Sequence, residues 1–549
     1  MPQLYRVKNT FIKRYKITII ILISAFLLLS MLYMGFQKDT RTKIVFMGFD
    51  GLEWSIIDEL LKEDKMPTFD KLLRNSSYGN LKMPHGAALS PALWTTMATG
   101  RSPGIHGILD HIVHEDDSYE PVVVRSYHRK VKALWNMLTE RERKVGVINY
   151  FATWPPEEIN GFIVSNNALS GLDGNDVYPS NLAKEIDLLI EPFKVVNDNN
   201  NFLEKHATRA DFEMDILPVM SQYLYQKLNK DLDLFIVYSR YPDRIQHFFW
   251  KFMEPEYFQH PVWRLTPELI ERYGNIIKDM YQKIDTIVEG MLEHIDKDTI
   301  VIVCSDHGFE RKSNHPHVRL DNLDQLLEAI GFLTFNESDK EIDFSKTKAY
   351  HYQVASQPYV FIGINLKVQN PHGIVESGDE YAQVKKALIN ALSSLTVVET
   401  GKRLFNEVKD MTFERAHIGL SKEKNIDLLK QHVKINENIY SLDRFFNFEN
   451  ISGQHKNHKG VFMIYGKNIK RAQLIKDAHM LDITPTILYL LGLAIARDME
   501  GKILVQAIDE DFIRKNPIKY ISTYEDKGEY ERKEQREQLE MLRSLGYIQ

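Results

Sequence analysis

The feature that most constrains the fold is a series of short apolar runs, each followed by polar residues and separated from the next by stretches with helical periodicity. The first run, 43–49, is rich in Ile, Val, Phe and Met and ends at Asp50 and Gly51. Such alternation is typical of a mostly parallel sheet joined by crossover helices. Further buried strands are predicted over 144–149, 161–165, 232–238 and 299–304. The sequence therefore predicts an α/β fold with a central sheet flanked by helices.

Helical patterns lie between and after these strands. Apolar residues recur at helical spacing over 273–295, which predicts a crossover helix, and an amphipathic stretch covers 54–73. The region 336–449 lacks clear turn signals and is interpreted as a cap inserted into a catalytic domain that spans 43–515. The last segment, 516–549, is rich in both charge signs and is predicted to be a solvated tail.

The N-terminal region contains one long apolar run. This run, residues 17–36, is long enough to cross the roughly 30 Å hydrocarbon core of a membrane as a helix. The preceding segment, 1–16, carries five basic residues and no acid, so the positive-inside rule keeps it cytoplasmic. A cleaved signal peptide is the alternative, but the run is long for one and has no evident small-x-small cleavage site. We therefore expect a single-pass signal anchor and an extracytoplasmic catalytic domain.

Composition excludes one class of partner. The chain has 549 residues, 44% of them hydrophobic, which is enough for a large core. Its formal net charge of -6 gives no basic surface of the kind that neutralises a phosphate backbone. Nucleic acid is therefore not an expected partner, and the sequence carries no signal for an oligomeric state.

Acids and histidines follow the predicted strands, at the sheet edge where open α/β proteins bind ligands. Asp243 and His247 are four residues apart, which places both on one face of a helical turn. Ser90 lies in a turn-like segment between Asp50 and Asp243. Three carboxylates and three imidazoles suffice for two zinc-like ions. The candidate ligands are Asp50, Asp243, His247, Asp306, His307 and His455. The pattern predicts a metal-dependent hydrolase or transferase.

Several motifs, read jointly and in order, carry a family resemblance. They are Asp50-Gly51, 89–100 followed by 106–108, 243–249, 305–309, and 482–486 followed by 492–493 and 498–501. In these segments the chain resembles the type I phosphodiesterase and nucleotide pyrophosphatase branch of the alkaline phosphatase superfamily, especially its bacterial membrane-anchored members. The resemblance implies an alkaline-phosphatase-like fold and a metal-dependent phosphoric ester hydrolase.

The resemblance also implies roles for the candidate residues. Two divalent ions, usually zinc, would be bound by two sets of side chains. One set is Asp243, His247 and His455, and the other is Asp50, Asp306 and His307, with Ser90 coordinated to the second ion. Ser90 matches the family nucleophile, which the metal would activate for attack on phosphorus, and a phosphoserine intermediate would then be hydrolysed.

Alternatives remain for three positions. Thr95 and Thr96 lie in the same segment as Ser90, although helix residues packed under the site are the simpler interpretation. His458 is an alternative to His455 as the third imidazole. Where the family often has an asparagine that hydrogen-bonds the phosphoryl group, this chain has 110–111, an Asp-His pair.

Other functions compete with a phosphodiesterase. A sulfatase would need an arginine in the segment 90–94, which has none. A phosphoethanolamine- or glycerophosphate-type transferase that acts on membrane lipid or envelope glycan would share the metals, the nucleophile and the anchor, so it stays as the alternative. A binding protein with a degenerate site is disfavoured because all six candidate ligands and Ser90 are present.

Overall fold

The structure is a computed structural model, and it describes residues 41–84, 89–115, 118–166, 175–193, 201–228, 232–354, 359–413, 415–421, 424–456 and 459–525. The predicted anchor, 17–36, and the end of the predicted tail, 526–549, lie outside these ranges, so both stay predictions. Within the ranges, no helix combines the length and the apolar character that a membrane crossing needs.

A nine-stranded sheet lies at the centre of the described part of the chain. Its strands, in spatial order, are Gln473–His479, Ser76–Lys82, Gly460–Tyr465, Ile300–Cys304, Ile44–Phe49, Leu234–Ser239, Val145–Ile148, Gly161–Val164 and Val177–Tyr178. Most neighbours pair in parallel, and the antiparallel pairs lie toward the two ends of the sheet. The predicted α/β class with a mostly parallel central sheet is confirmed.

Helices cover both faces of this sheet. The α-helices are Trp54–Lys62, Pro67–Asn75, Ser90–Thr99, Pro103–His106, Leu134–Thr139, Ala183–Ile190, Phe202–Leu228, Tyr241–Met253, Pro267–Tyr273, Ile276–His294, Leu323–Ala329, Asp379–Ser394, Ile483–Leu490 and Glu510–Lys515. In the first strand, Val45 and Met47 belong to one large apolar cluster, whereas Ile44 and Phe46 belong to another. Because successive side chains of a strand point to opposite faces, the sheet is buried on both sides.

The amphipathic stretch at 54–73 forms two helices, because a proline interrupts it. Pro67 is the first residue of the second helix, where its missing N–H costs no helical hydrogen bond. The connecting turn passes through Asp64, whose φ of 56° is in the left-handed region. The proline thus fixes where the second helix begins.

The three central strands bring distant motifs to one edge of the sheet. Ile44–Phe49 pairs in parallel with Leu234–Ser239 on one side and with Ile300–Cys304 on the other. Phe49 lies opposite Ser239, and Gly48 lies opposite Cys304. The residues that follow each strand therefore leave the sheet at the same edge, as expected for the ligand-binding side of an open α/β sheet.

Smaller sheets complete the described structure. The two-stranded pairs are Ile112–Val113 with Val122–Val123, Gly308–Arg311 with Gly453–Lys456, His432–Ile435 with Asn438–Ser441, and Ile495–Ala496 with Tyr520–Ile521. A three-stranded sheet contains Lys424–Asn425, His317–Leu320 and Phe446–Phe448, and a four-stranded sheet contains Ala349–Tyr352, Tyr359–Ile364, Ala416–Ser421 and Val408–Phe413.

The region interpreted as a cap has an apolar core separate from the two beside the central sheet. Ile362 and Ile418, from the four-stranded sheet, share this core with Leu388 and Leu392 of the helix Asp379–Ser394. This core also contains Val318, which precedes the predicted cap boundary at 336. The cap is thus an antiparallel sheet packed against a helix.

A buried histidine contacts the helix Ser90–Thr99. His106 is fully buried, and its Nδ1 accepts a hydrogen bond of 3.1 Å from the Ile108 N–H. Its Nε2 lies 3.1 Å from the Thr96 hydroxyl, which itself donates to the Ala92 carbonyl. The ring is therefore neutral, with its proton on Nε2. Burial is the main reason that the pKa of His106 falls from 6.5 to about 3.

We expect this histidine to make the fold sensitive to acid. Below pH 6.5 the unfolded chain takes up a proton that folded His106 does not accept until about pH 3, so the unfolding free energy falls with pH in that window. The loss between pH 6.5 and pH 5 is about 2 kcal/mol. In His106→Asn, an amide oxygen replaces Nδ1 as the acceptor for Ile108, and we expect a shallower pH dependence. Urea unfolding of both proteins with chelator present measures the difference. Equal losses on acidification would contradict this role.

Candidate metal centre

Asp50 is held rigidly at the edge of the sheet. Its carboxylate is buried, and it accepts hydrogen bonds from the Tyr238 hydroxyl at 2.6 Å and from the Trp94 Nε1–H at 3.2 Å. The backbone then turns at Gly51, whose φ of 73° is unfavourable for residues with a Cβ. Both aromatic partners were missed by the sequence reasoning. Tyr238 was visible as the end of a predicted strand, but nothing in the sequence paired it with Asp50.

Ser90 is the first residue of a buried helix rather than part of a turn. Pro91 follows it at a position that favours helix initiation, and Gly100 ends the helix with a φ of 69°. The Ser90 hydroxyl donates a 3.2 Å hydrogen bond to Oδ1 of Asp50. Since a helix N-terminus carries partial positive charge, this position favours negative charge on the serine oxygen.

The two threonines of this helix are engaged elsewhere. The Thr95 hydroxyl donates to the Pro91 carbonyl at 2.7 Å, and the Thr96 hydroxyl donates to the Ala92 carbonyl at 2.9 Å. Hydrogen bonds of this kind, to the carbonyl four residues earlier, are common for threonine inside helices. The arrangement supports the interpretation of both threonines as structural residues.

One group of side chains joins the helix Tyr241–Met253 to the strand Gly453–Lys456. Oδ1 of Asp243 lies 3.2 Å from Nε2 of His247 and 3.0 Å from Nε2 of His455, and the two Nε2 atoms are 3.0 Å apart. His247 Nδ1 lies 3.0 Å from the Gly453 carbonyl, so Nδ1–H is the donor and Nε2 keeps its lone pair in the neutral ring. His458 lies outside the described residues.

A second group follows the strand Ile300–Cys304. Nε2 of His307 lies 3.3 Å from Oδ1 of Asp50, 3.5 Å from Oδ2 of Asp306 and 3.8 Å from Oδ1 of Asp243. The ring Nδ1 lies 3.0 Å from the Gly308 carbonyl, which again leaves Nε2 as the lone-pair nitrogen of the neutral form. All six predicted ligands therefore lie in one neighbourhood.

The grouping differs in one respect from the sets that the resemblance implies. The ligand atoms within mutual reach are those of Asp243, His247 and His455 in one group and those of Asp50, Asp243 and His307 in the other. Asp243 thus lies in both groups. Asp306 lies next to the second group, where its Oδ1 accepts a 3.3 Å hydrogen bond from the Gly51 N–H.

The electrostatics of the centre are those of a site for cations. Burial and the charge of Asp50 raise the pKa of Asp306 well above its usual range. Burial lowers the pKa of His307, but the Asp306 and Asp50 carboxylates outweigh it and raise that pKa to about 10. The carboxylates lie close together, so their mutual repulsion favours protonation of Asp306 and His307. A bound cation would reduce the same repulsion.

The donor atoms also fit metal ions. Among the described residues, Oδ1 of Asp243, Oδ2 of Asp306 and Nε2 of His307 are buried without a hydrogen-bond partner, which is costly in the absence of another ligand. Separations of 3.0 to 3.3 Å between donor atoms match the edge of a tetrahedron with zinc-like bonds, which is about 3.3 Å. Imidazole and carboxylate donors are the set that zinc prefers when no thiolate is present.

A buried ion pair that the sequence did not reveal ties the ligand-bearing segments together. Glu53, three residues after Asp50, pairs with Lys456 at 3.0 Å and accepts the Phe309 N–H at 3.0 Å. Its own N–H donates to the Tyr281 hydroxyl at 2.8 Å. The segments that follow Ile44–Phe49 and Ile300–Cys304 are therefore joined with the strand Gly453–Lys456 through one carboxylate, as expected for support of a metal site.

A cleft of about 560 Å³ opens beside these groups. Its lining includes Asp50 and Ser90, together with the aromatic residues Phe151 and Phe248. The serine hydroxyl is thus next to both a candidate metal ligand and a space large enough for a substrate. The arrangement is suited to nucleophilic attack at a metal-bound ester.

Comparisons with known proteins identify a family for this chain. A family model described as type I phosphodiesterase / nucleotide pyrophosphatase matches residues 44–420. The comparison with curated proteins gives no match. The chain is similar to murine ectonucleotide pyrophosphatase/phosphodiesterase 5, solved as an inactive variant in complex with AMP, at 14% identity over 82% of this chain and 96% of that one, with a TM-score of 0.45. The human protein of the same name gives 14% identity, 84% and 97% coverage and a TM-score of 0.43.

The family model covers well over half of the 549 residues, and it includes Asp50, Ser90, Asp243 and His307. The resemblance stated from the sequence motifs is confirmed. The chain therefore belongs to the type I phosphodiesterase/nucleotide pyrophosphatase family, and it is a phosphodiesterase-like hydrolase of the alkaline phosphatase superfamily.

Proposed function

We propose that the protein hydrolyses phosphoric esters through Ser90 at a centre for two divalent ions, zinc being the ion that the donor set favours. The single observation that carries this proposal is the 3.2 Å hydrogen bond between the Ser90 hydroxyl and Asp50, whose same oxygen lies 3.3 Å from Nε2 of His307. A nucleophile in contact with a candidate ligand group needs no rearrangement to reach the reacting centre.

Ser90 provides the nucleophile of the proposed reaction. In the proposed course, the Ser90 oxygen forms a bond to phosphorus while the bond from phosphorus to the leaving alcohol breaks, which gives a phosphoserine. Water then cleaves the phosphoserine and restores the serine, so the net reaction adds one water across the ester. When bound, the cations would lower the pKa of the serine hydroxyl and neutralise charge on the phosphoryl oxygens.

The charge of the cleft supports a phosphodiester as the preferred substrate. A diester carries one negative charge, whereas a monoester carries nearly two at neutral pH. Two of the cations that line the cleft, Arg240 and Lys312, already lie near the carboxylates of Glu213 and Glu449. Beyond the metal centre, the described lining thus offers one further cation, Arg244, whose single charge matches that of a diester, and the open volume of the cleft accommodates a second ester group.

A panel of p-nitrophenyl esters tests this function. We expect the purified full-length protein with zinc to hydrolyse bis-p-nitrophenyl phosphate at least tenfold faster than p-nitrophenyl phosphate, and p-nitrophenyl sulfate more slowly than either. Removal of the metals with chelator should abolish turnover, and added zinc should restore it. A preference for the sulfate ester, or turnover that persists without metal, would overturn the proposal.

A further inference from the structure

Arg244 is a cation next to a candidate metal ligand in the sequence. It directly follows Asp243 in the helix Tyr241–Met253, and its side chain is exposed to the same cleft that Asp50 and Ser90 line. Consecutive positions of a helix point about 100° apart, so Arg244 does not share the ligand face that Asp243 and His247 occupy. The guanidinium thus belongs to the substrate side of the cleft.

Arg244 differs from the other two cations of the cleft in having no side-chain partner among the described residues. Arg240 donates to the Asn166 carbonyl at 2.9 Å, and Lys312 pairs with Glu449 at 2.7 Å. Within the described part of the chain, Arg244 makes neither a side-chain hydrogen bond nor an ion pair. An arginine fork has five donors, and it pairs with carboxylate or phosphate wherever one is within reach. Its donors remain available to an anion in the cleft.

His111 lines the same cleft and is held in place by its surroundings. Its ring packs edge-on against Phe151, with 5.8 Å between centroids, and its backbone N–H donates to the Asp110 carboxylate. Among the described residues, neither ring nitrogen has a hydrogen-bond partner. Asp110 is largely buried, and the contact with the backbone N–H occupies one of its oxygens.

The His111 ring is influenced by the charges of Arg244 and of carboxylates at the metal centre. Burial lowers the pKa of His111, and the positive charge of Arg244 lowers it further. The carboxylates of Asp110, Asp50 and Asp243 oppose this shift. Both side chains line the cleft that Ser90 also lines.

We propose that Arg244 and His111 together form an oxyanion subsite, which binds the non-bridging oxygens of the phosphoryl group that Ser90 attacks. The proposal rests on the function proposed above and names the residues that would bind its substrate. The guanidinium supplies charge-assisted hydrogen bonds, and the neutral imidazole supplies one further N–H donor. A tetrahedral oxyanion can bind both side chains at once, because its oxygens point in different directions and the two donors lie on different segments of the chain.

Inorganic phosphate is the probe for this subsite, because its binding is measurable without turnover. Calorimetric titration of the zinc-loaded full chain should give a dissociation constant that rises at least tenfold in Arg244→Ala and at least threefold in His111→Ala. Both variants should retain the metal content of the wild type, measured by mass spectrometry, and should lose kcat/KM in proportion. Arg244→Gln provides a second variant that keeps a polar side chain beside Asp243. Arg471→Ala removes an exposed arginine before the edge strand Gln473–His479, and it should leave phosphate affinity unchanged.

The outcomes separate this inference from the proposed function. Phosphate affinity that depends on Arg244 in a protein without esterase turnover would support the subsite and overturn the hydrolytic function. Turnover with phosphate affinity unchanged within twofold in Arg244→Ala, Arg244→Gln and His111→Ala would overturn the subsite and leave the function intact.

Discussion

Replacement of Ser90 by alanine is expected to reduce phosphodiester turnover by about 10⁴-fold or more, while the protein keeps its full complement of metal. The hydroxyl is the proposed nucleophile, and its side chain contributes one 3.2 Å hydrogen bond to Asp50. Asp50 retains the hydrogen bonds from Tyr238 and Trp94 in the variant, so its carboxylate should stay in position. The turnover rate and the metal content per chain, both measured on the same preparation, check this prediction.

A matched variant tests whether the hydroxyl itself matters. Ser90→Thr keeps a hydroxyl at the helix N-terminus and should retain measurable turnover, although its extra methyl must fit a buried position. A phosphoenzyme trapped by acid quench should appear in the wild type and in Ser90→Thr but be absent from Ser90→Ala. Near-normal turnover of Ser90→Ala would reject Ser90 and direct attention to Thr95 and Thr96, whose hydroxyls now donate to helix carbonyls.

Replacement of Asp243 by asparagine should release both metal ions and lower activity by at least about 10³-fold. Its Oδ1 lies between 3.0 and 3.8 Å from the Nε2 atoms of His247, His307 and His455, so one carboxylate serves both ligand groups. Loss of its charge removes the only carboxylate from the first group and one of two from the second. Metal content per chain, measured after gel filtration, is the direct readout.

Asp306→Asn is the control for this prediction. Asp306 lies beside the second group only, so its variant should keep the ion of the first group and lose the other. Both variants remove one buried negative charge, and a general effect of lost charge would therefore reduce metal content equally in the two. Two ions retained in Asp243→Asn would refute its shared position.

Local sequence pattern was sufficient for the central strands. The apolar runs at 43–49 and 299–304 correspond to the strands Ile44–Phe49 and Ile300–Cys304, because a strand buried on both faces must be continuously apolar. The predicted crossover helix at 273–295 corresponds to the helix Ile276–His294, so its boundaries also lie close to the predicted ones. Here local propensity and tertiary burial favour the same structure.

Other elements were not accessible from local pattern. The region 336–449 gave no clear prediction, and its antiparallel sheet depends on pairing between strands such as Tyr359–Ile364 and Ala416–Ser421, which are about fifty residues apart. Ser90 was placed in a turn, but it begins a helix whose side chains are all buried. An all-buried helix lacks the amphipathic period by which helices are predicted.

The sequence by itself determined which chemical groups this protein has and in what order they follow its strands, and that order was enough for the family. Only the tertiary structure decided how those groups are arranged: Asp243 lies in both ligand groups, Glu53 joins three ligand-bearing segments, and Arg244 has no side-chain partner among the residues that the structure describes. The physical reason is that a motif is a local pattern along the chain, whereas a coordination site depends on distances between atoms hundreds of residues apart. Those distances are set by strand order and side-chain packing, which no single segment contains.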